Sequence, residues 1–157
     1  MATDLSVDVQ VASAASSVPA DEDIRTWITA VLSQLDFADK VEVSVRIVDV
    51  DESRDLNKAY REKDMATNVL SFPAGMGDFA PEDMRRPLGD IVVCAPVVEA
   101  EATSRGKAPA DHWAHLVVHG TLHLLGFDHQ NNAEAAEMEA IERAVLGTQG
   151  IADPYMA

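Results

Sequence analysis

The sequence predicts an α+β fold, a small mixed four-stranded sheet packed with about five helices. Three observations carry this. Two segments, around Leu5–Val11 and Val41–Val50, alternate apolar and polar residues at the period of a half-buried strand. Longer segments repeat apolar residues at helical spacing and open with acids or with proline. Strands and helices also follow one another in mixed order, without a strict β-α alternation.

The elements can be justified in order. Leu5, Val7, Val9 and Val11 form the inward side of a first strand. Ser13 to Ala20 is small and polar and reads as a loop near Pro19. Ile24, Trp27, Ile28, Val31 and Leu35 then recur at helical spacing. Asp21, Glu22 and Asp23 stand at the front, where a helix N-terminus favours anions. Val41, Val43, Val45 and Ile47 give a second strand to about Val50, and residues 52–63 read as a short helix. Thr67 to Phe72 is a third strand, stopped by Pro73. Residues 73–87 hold three of the seven prolines and two of the eight glycines and read as a long loop. Leu88 to Ala95 is a fourth strand whose near-continuous apolar run implies burial on both faces. Pro96 opens a helix to about Ser104, and Pro109 opens another to about Leu125 with Gly126 as a left-handed stop. A last helix spans about Asn132 to Leu146, with Met138, Ile141 and Val145 inward and Gly147 ending it.

The 157 residues are read as one domain, residues 1–157. A hydrophobic content of 47% excludes a disordered chain. No apolar run approaches the ~18 residues that cross a bilayer, so no membrane partner is expected. Twelve Lys and Arg against 27 Asp and Glu give a net charge of −15. Such a surface cannot grip nucleic acid as a whole, so a polyanion partner needs a local basic patch. The lone Cys94 excludes an intrachain disulfide and reads as a small core residue. Met1 to Ala20 has no Lys or Arg and is interrupted by Asp4 and Asp8, unlike a signal peptide, so the expected location is the cytoplasm.

All five histidines lie between residues 112 and 129. His119 and His123, four apart, share one face of the predicted helix one turn apart. Gly126 lets the backbone take φ > 0, and the returning chain brings His129 to complete a triangle. Three neutral imidazoles with an open fourth position make the ligand set of a catalytic zinc site, and a structural site would normally add a fourth protein ligand. Sulfur-free, carboxylate-poor ligation argues against calcium or magnesium, while nickel or copper would also fit. His112 and His115 extend the same face upstream and read as exposed or core-satisfied side chains. Asp128 could orient a ligand imidazole, assist proton transfer or cap the turn.

The spacing His-x3-His-x2-Gly-x2-His matches the metzincin metalloproteases, giving a zincin-like metal site at a helix C-terminus. In those enzymes a Glu follows the first His as general base, and here that position is Gly120. Peptide hydrolysis is thereby disfavoured. The segment His119-Gly-Thr-Leu-His-Leu-Leu-Gly-Phe-Asp-His129 closely resembles the YbeY family of bacterial rRNA-maturation endoribonucleases. So do Leu56-Asn57 with Tyr60-Arg61, Thr67-Asn-Val-Leu-Ser-Phe-Pro73 and Leu88-Gly-Asp-Ile-Val-Val-Cys94. The likeness covers about residues 40–155, with Phe127 standing where the family often has Tyr. It implies a zinc-bound endoribonuclease, one Zn2+ per chain, acting on single-stranded rRNA and not DNA. It further implies maturation of the 3′ end of small-subunit rRNA, ribosome quality control, and partners among small ribosomal subunit proteins.

Cations must then be concentrated. Arg54, Lys58 and Arg61 fall at i, i+4 and i+7 on one helix face, with Lys63 next. Arg85-Arg86 and Arg105/Lys107 add two further pairs. Asp51, Glu52, Asp55 and Glu62 could balance this face as an ordinary solvated one. The resemblance carries the family's functional arginine onto Arg61, whose guanidinium fork fits phosphate oxygens; a structural ion pair is its other reading. Asn68 reads as possible site lining and Ser71 as structural. The competing expectations are a non-nuclease ribosome-binding factor with a structural metal and a metallopeptidase-like hydrolase.

Overall fold

The structure is a computed structural model that describes residues 4–16, 18–37, 40–74 and 86–155. Most of the predicted 73–87 loop, including Arg85, lies outside the described residues. The elements run β1 (Leu5–Ala12), α1 (Asp21–Gln34), β2 (Val41–Val48), α2 (Val50–Arg61), β3 (Val69–Pro73), β4 (Arg86–Cys94), α3 (Ala95–Ser104), α4 (Pro109–Leu124) and α5 (Asn132–Thr148). The sheet order is β1-β2-β4-β3. β1 and β4 pair parallel to β2, and β3 pairs antiparallel to β4, so the sheet is mixed as predicted.

Alternation sets the faces. Val41, Val43, Val45 and Ile47 of β2 are all buried in the main core with Ile24, Ile28 and Leu32 of α1. Trp113, Val117 and Leu122 of α4 and Met138 and Leu146 of α5 complete that core. β4 is buried on both faces, as its apolar run implied. Ile91 and Val93 enter the main core, while Val92 and Cys94 join Val48 and Leu70 in a smaller cluster against Leu56.

Several boundaries differ from the periodicity reading: β3 begins at Val69, not Thr67, and includes Pro73, and α5 runs through Gly147 to Thr148 with Gln149 as its cap residue. β2 stops at Val48 because Asp49 becomes the N-cap residue of α2, its carboxylate accepting from Ser13 Oγ and Ala14 N–H. α2 ends at Arg61 because Glu62 turns left-handed at φ 60°, and Lys63 N–H then reaches back to the Asn57 carbonyl. β4 starts two residues early, at Arg86, because a register shift opposite Glu42/Val43 accommodates Pro87 and Gly89. Gly89 sits at φ 137°, and a Cβ there would lie 2.2 Å from the Phe72 carbonyl oxygen. Gly126 adopts φ 98° and ends α4 as expected, with Phe127 N–H bonded to the Leu122 carbonyl.

Candidate metal centre and groove

α4 presents His119 and His123 one turn apart, and the Gly126 turn returns His129 beside them. One nitrogen from each lies within 4.8 Å of those of the other two, and the Nε2 atoms of His119 and His123 are 3.1 Å apart. Ligands at 2.0–2.1 Å in a tetrahedron sit about 3.3 Å apart, so the donor set fits a metal ion of zinc's size. His119 and His123 are half-buried and His129 is exposed, which leaves the open side of the triangle towards solvent. Burial, followed by the nearby His119 and His129, pushes the His123 imidazole down, which favours the neutral, ligating form.

Behind the triad stands a residue the sequence reading missed. Glu142 of α5 is fully buried, and its Oε2 lies 2.7 Å from His119 Nδ1. Its Oε1 accepts from Tyr155 Oη and lies 3.3 Å from His115 Nε2. Burial alone would raise this carboxyl; the hydrogen bonds from His115, His119 and Tyr155 outweigh it and hold the group at about 2. An ionised carboxylate only accepts, so His119 carries its proton on Nδ1 and keeps Nε2 as a bare lone pair facing His123. The signal for Glu142 was present: it stands four residues after Met138 on the inward face of the last helix, an acid among core positions.

His112 and His115 are buried, not exposed, at 1% and 8% exposure; each is paired through Nε2, while the buried Nδ1 of each has no partner among the described residues. His115 serves Glu142, and His112 Nε2 lies 2.9 Å from Glu101 Oε1. Burial lowers the His112 imidazole against the opposing pull of Glu101, so it stays neutral and donates through Nε2–H. Asp128 accepts the His129 backbone N–H at 2.8 Å, which holds it below the usual carboxylate range and fastens the turn that delivers His129.

The triad opens onto a groove of about 740 Å3. Arg61, Lys63, Asn68 and Glu101 line it together with the three histidines and Asp128. Arg61 is exposed, and its Nη2 donates to the Ser71 carbonyl at 3.3 Å. Ser71 Oγ donates to the Gly120 carbonyl at 3.0 Å, so one β3 residue registers both Arg61 and the metal helix. Arg54 and Lys58 do not line the groove. Arg54 is held by Asp64 in a two-pronged pair at 2.6 and 3.2 Å. Lys107 Nζ donates to the Pro154 carbonyl beside Tyr155. Gly120 faces the sheet: a Cβ there would lie 3.0 Å from Ile91 Cγ2 and 3.2 Å from Ser71 Oγ.

Fold and site together define a three-histidine metal-site protein in which the peptidase base is replaced by a close helix–sheet contact. The chain belongs to the YbeY family, whose model, described as Endoribonuclease YbeY, matches residues 8–150. Proteins of that same description from Cellvibrio japonicus and Halorhodospira halophila are 54% and 50% identical to it. The first alignment covers 95% of this chain and 82% of the relative, the second 90% and 91%. An Idiomarina loihiensis relative, also named Endoribonuclease YbeY, is 47% identical over 97% of this chain and 92% of its own. The solution structure of a Thermotoga maritima protein shares the fold, with a TM-score of 0.55 and 24% identity over 95% of this chain and 99% of that one.

Proposed function

We propose that this chain is a metal-dependent endoribonuclease acting on single-stranded RNA. Its work is the maturation of the 3′ end of small-subunit rRNA and ribosome quality control, in the cytoplasm, with small ribosomal subunit proteins as partners. The single observation that carries the reading is the meeting of the three-histidine centre and the Arg61 guanidinium in one open groove. Relatives of about half-identical sequence bearing the name endoribonuclease support it, and among the described residues no helix is long and apolar enough to cross a membrane.

His119, His123 and His129 would hold one Zn2+ per chain. Zinc so bound supplies Lewis-acid polarisation of a phosphate oxygen and lowers the pKa of water to about 7. The chain's own residues do the rest. Arg61 places its fork on the scissile phosphate and offsets charge that develops there in the transition state. Lys63 holds a neighbouring phosphate at the groove's edge. Glu142 keeps His119 in the ligating tautomer, and Asp128 keeps the His129 turn closed. Gly120 leaves no carboxylate where a peptidase would need its base.

The test is cleavage of a defined single-stranded RNA, with a peptide library in parallel, by protein whose metal content has been measured. Internal RNA cuts that vanish with the metal support the reading, and the chemistry of the new ends reports whether water or a 2′-hydroxyl attacks. Intact RNA with metal-dependent folding would instead make the chain a non-nuclease ribosome-binding factor. Peptide cuts would make it a hydrolase of the metallopeptidase kind.

A further inference from the structure

One carboxylate in the groove has no part in the metal centre. Glu101 of α3 lines the groove, with its side chain 28% exposed. Its Oε1 takes two hydrogen bonds, from His112 Nε2 at 2.9 Å and Asn68 Nδ2 at 3.1 Å. Among the described residues its Oε2 has only a longer contact, 3.4 Å, from the same Asn68 nitrogen. Asn68 is itself fixed, its Oδ1 accepting from Val69 N–H at 2.7 Å, and His112 is buried at 1% exposure. The carboxylate is therefore clamped from two walls, with acceptor capacity left mainly on one oxygen.

A fixed anion in a groove for a polyanion repels phosphates, which offer only acceptors of their own. It is tolerated where the bound strand presents a donor. Base amino groups such as cytosine N4 also donate to carboxylates, but they differ from base to base, whereas every ribonucleotide carries the 2′-hydroxyl whatever its sequence. A ribose 2′-hydroxyl brings one donor, and acidic side chains read that hydroxyl in dinucleotide sites. His112 precedes His119 by two helical turns, roughly 10 Å along α4, so the nucleotide met here is not the one at the triad.

We propose that Glu101, clamped by His112 and Asn68, accepts the 2′-hydroxyl of a nucleotide flanking the one at the triad and thereby selects RNA over DNA. The inference rests on the endoribonuclease reading and assigns a subsite within it. DNA would leave the carboxylate without its donor while still excluding water from it, and so binds less well.

The experiment measures binding of a short single-stranded RNA, the DNA of the same sequence, and RNAs carrying one 2′-deoxy substitution each. It uses zinc-loaded protein with Arg61→Ala to keep the strand intact, with and without Glu101→Ala or Glu101→Gln, after melting temperature and zinc content have been checked. RNA should bind roughly tenfold to hundredfold better than DNA, the range for a hydrogen bond to a charged group. One deoxy position should account for most of that ratio. In Glu101→Ala that position should fall silent while DNA affinity is kept or improved. An unchanged RNA-to-DNA ratio in both Glu101 variants overturns the proposal. So does sensitivity that follows base identity and not the sugar. The deoxy scan needs no change at Glu101, so a flat scan overturns it even if those variants fail to fold. Failure of the endoribonuclease reading is separate: it appears as wild-type, metal-loaded protein that leaves RNA uncut.

Discussion

A neutral imidazole carries its proton on one nitrogen, and only the other can bind a metal. At His119 the choice is made by Glu142 at 2.7 Å, and among the described residues no other takes that part. Glu142→Gln replaces an obligate acceptor with an amide that can donate as well. Metal affinity should fall roughly 10- to 100-fold in chelator competition, with the fold retained; unchanged affinity would reduce Glu142 to packing. Arg61 is the opposite case: among the described residues it is held by a 3.3 Å contact to a backbone carbonyl from an exposed position. Arg61→Ala should abolish RNA cleavage while keeping zinc content and melting temperature. Arg61→Lys should rescue poorly, because an ammonium lacks the two-pronged geometry; a lower melting temperature with loss of metal would make Arg61 structural. His112 supplies a pH signature. Burial holds its folded pKa below the ordinary value of about 6.5. Below that value the unfolded chain binds more protons, so this contribution is complete above about 6.5 and is lost as pH falls towards the folded pKa. His112→Gln should therefore lose less melting temperature than wild type over that acid range, and parallel curves would count against it.

At the scale of elements, α4 does two jobs on two faces. One face carries the ligand imidazoles; the other presses Gly120 against β3 and β4, where a Cβ would already lie 3.0 Å from Ile91 Cγ2. Restoring the peptidase pattern with Gly120→Glu would bury a carboxylate against the sheet. It should destabilise the protein by about 3–5 kcal/mol, as for an uncompensated buried charge, and create no peptide cleavage. Gly120→Ala should cost far less, because about 1 kcal/mol of helix propensity offsets the overpacking. Thermal melts of both variants decide the matter; a wild-type melt for Gly120→Glu would show that α4 can move away from the sheet. The same helix shows what was legible beforehand. Spacing and a glycine stop placed His119, His123 and His129 together, because those offsets are local to one helix and its turn. The elements themselves came from periodicity, missing mainly where Asp49, Glu62 and Gly89 bend the chain by caps and a bulge. Glu142 and Glu101 escaped because their partners lie 23 and 11 residues away, and only tertiary packing brings them together. Arg54 was placed on the correct helix, but its partner Asp64 comes from the turn beyond Glu62.

At the scale of the molecule, a net charge of −15 must coexist with a polyanion substrate. Counting cations along the sequence suggests three or four phosphate contacts, from Arg54, Lys58, Arg61 and a neighbour. The structure reduces that number. Arg61 and Lys63 line the groove, Lys58 stands outside it, and Arg54 is already paired with Asp64. Two to three contacts at ~0.7 each give a log–log salt slope of about −1.4 to −2 for single-stranded RNA. Arg61→Ala should make the slope shallower by about 0.7, and Arg54→Ala should leave it nearly unchanged. A net charge of −15 opposes RNA approach, so free RNA should bind weakly at physiological salt. A partner that docks the protein beside its target would then supply the effective concentration that direct affinity lacks. The measurement is RNA affinity across a salt series for wild type and both variants. A slope near −3 that Arg54→Ala reduces would show that the Asp64 pair opens to admit phosphate, and that the basic face of α2 acts as a whole.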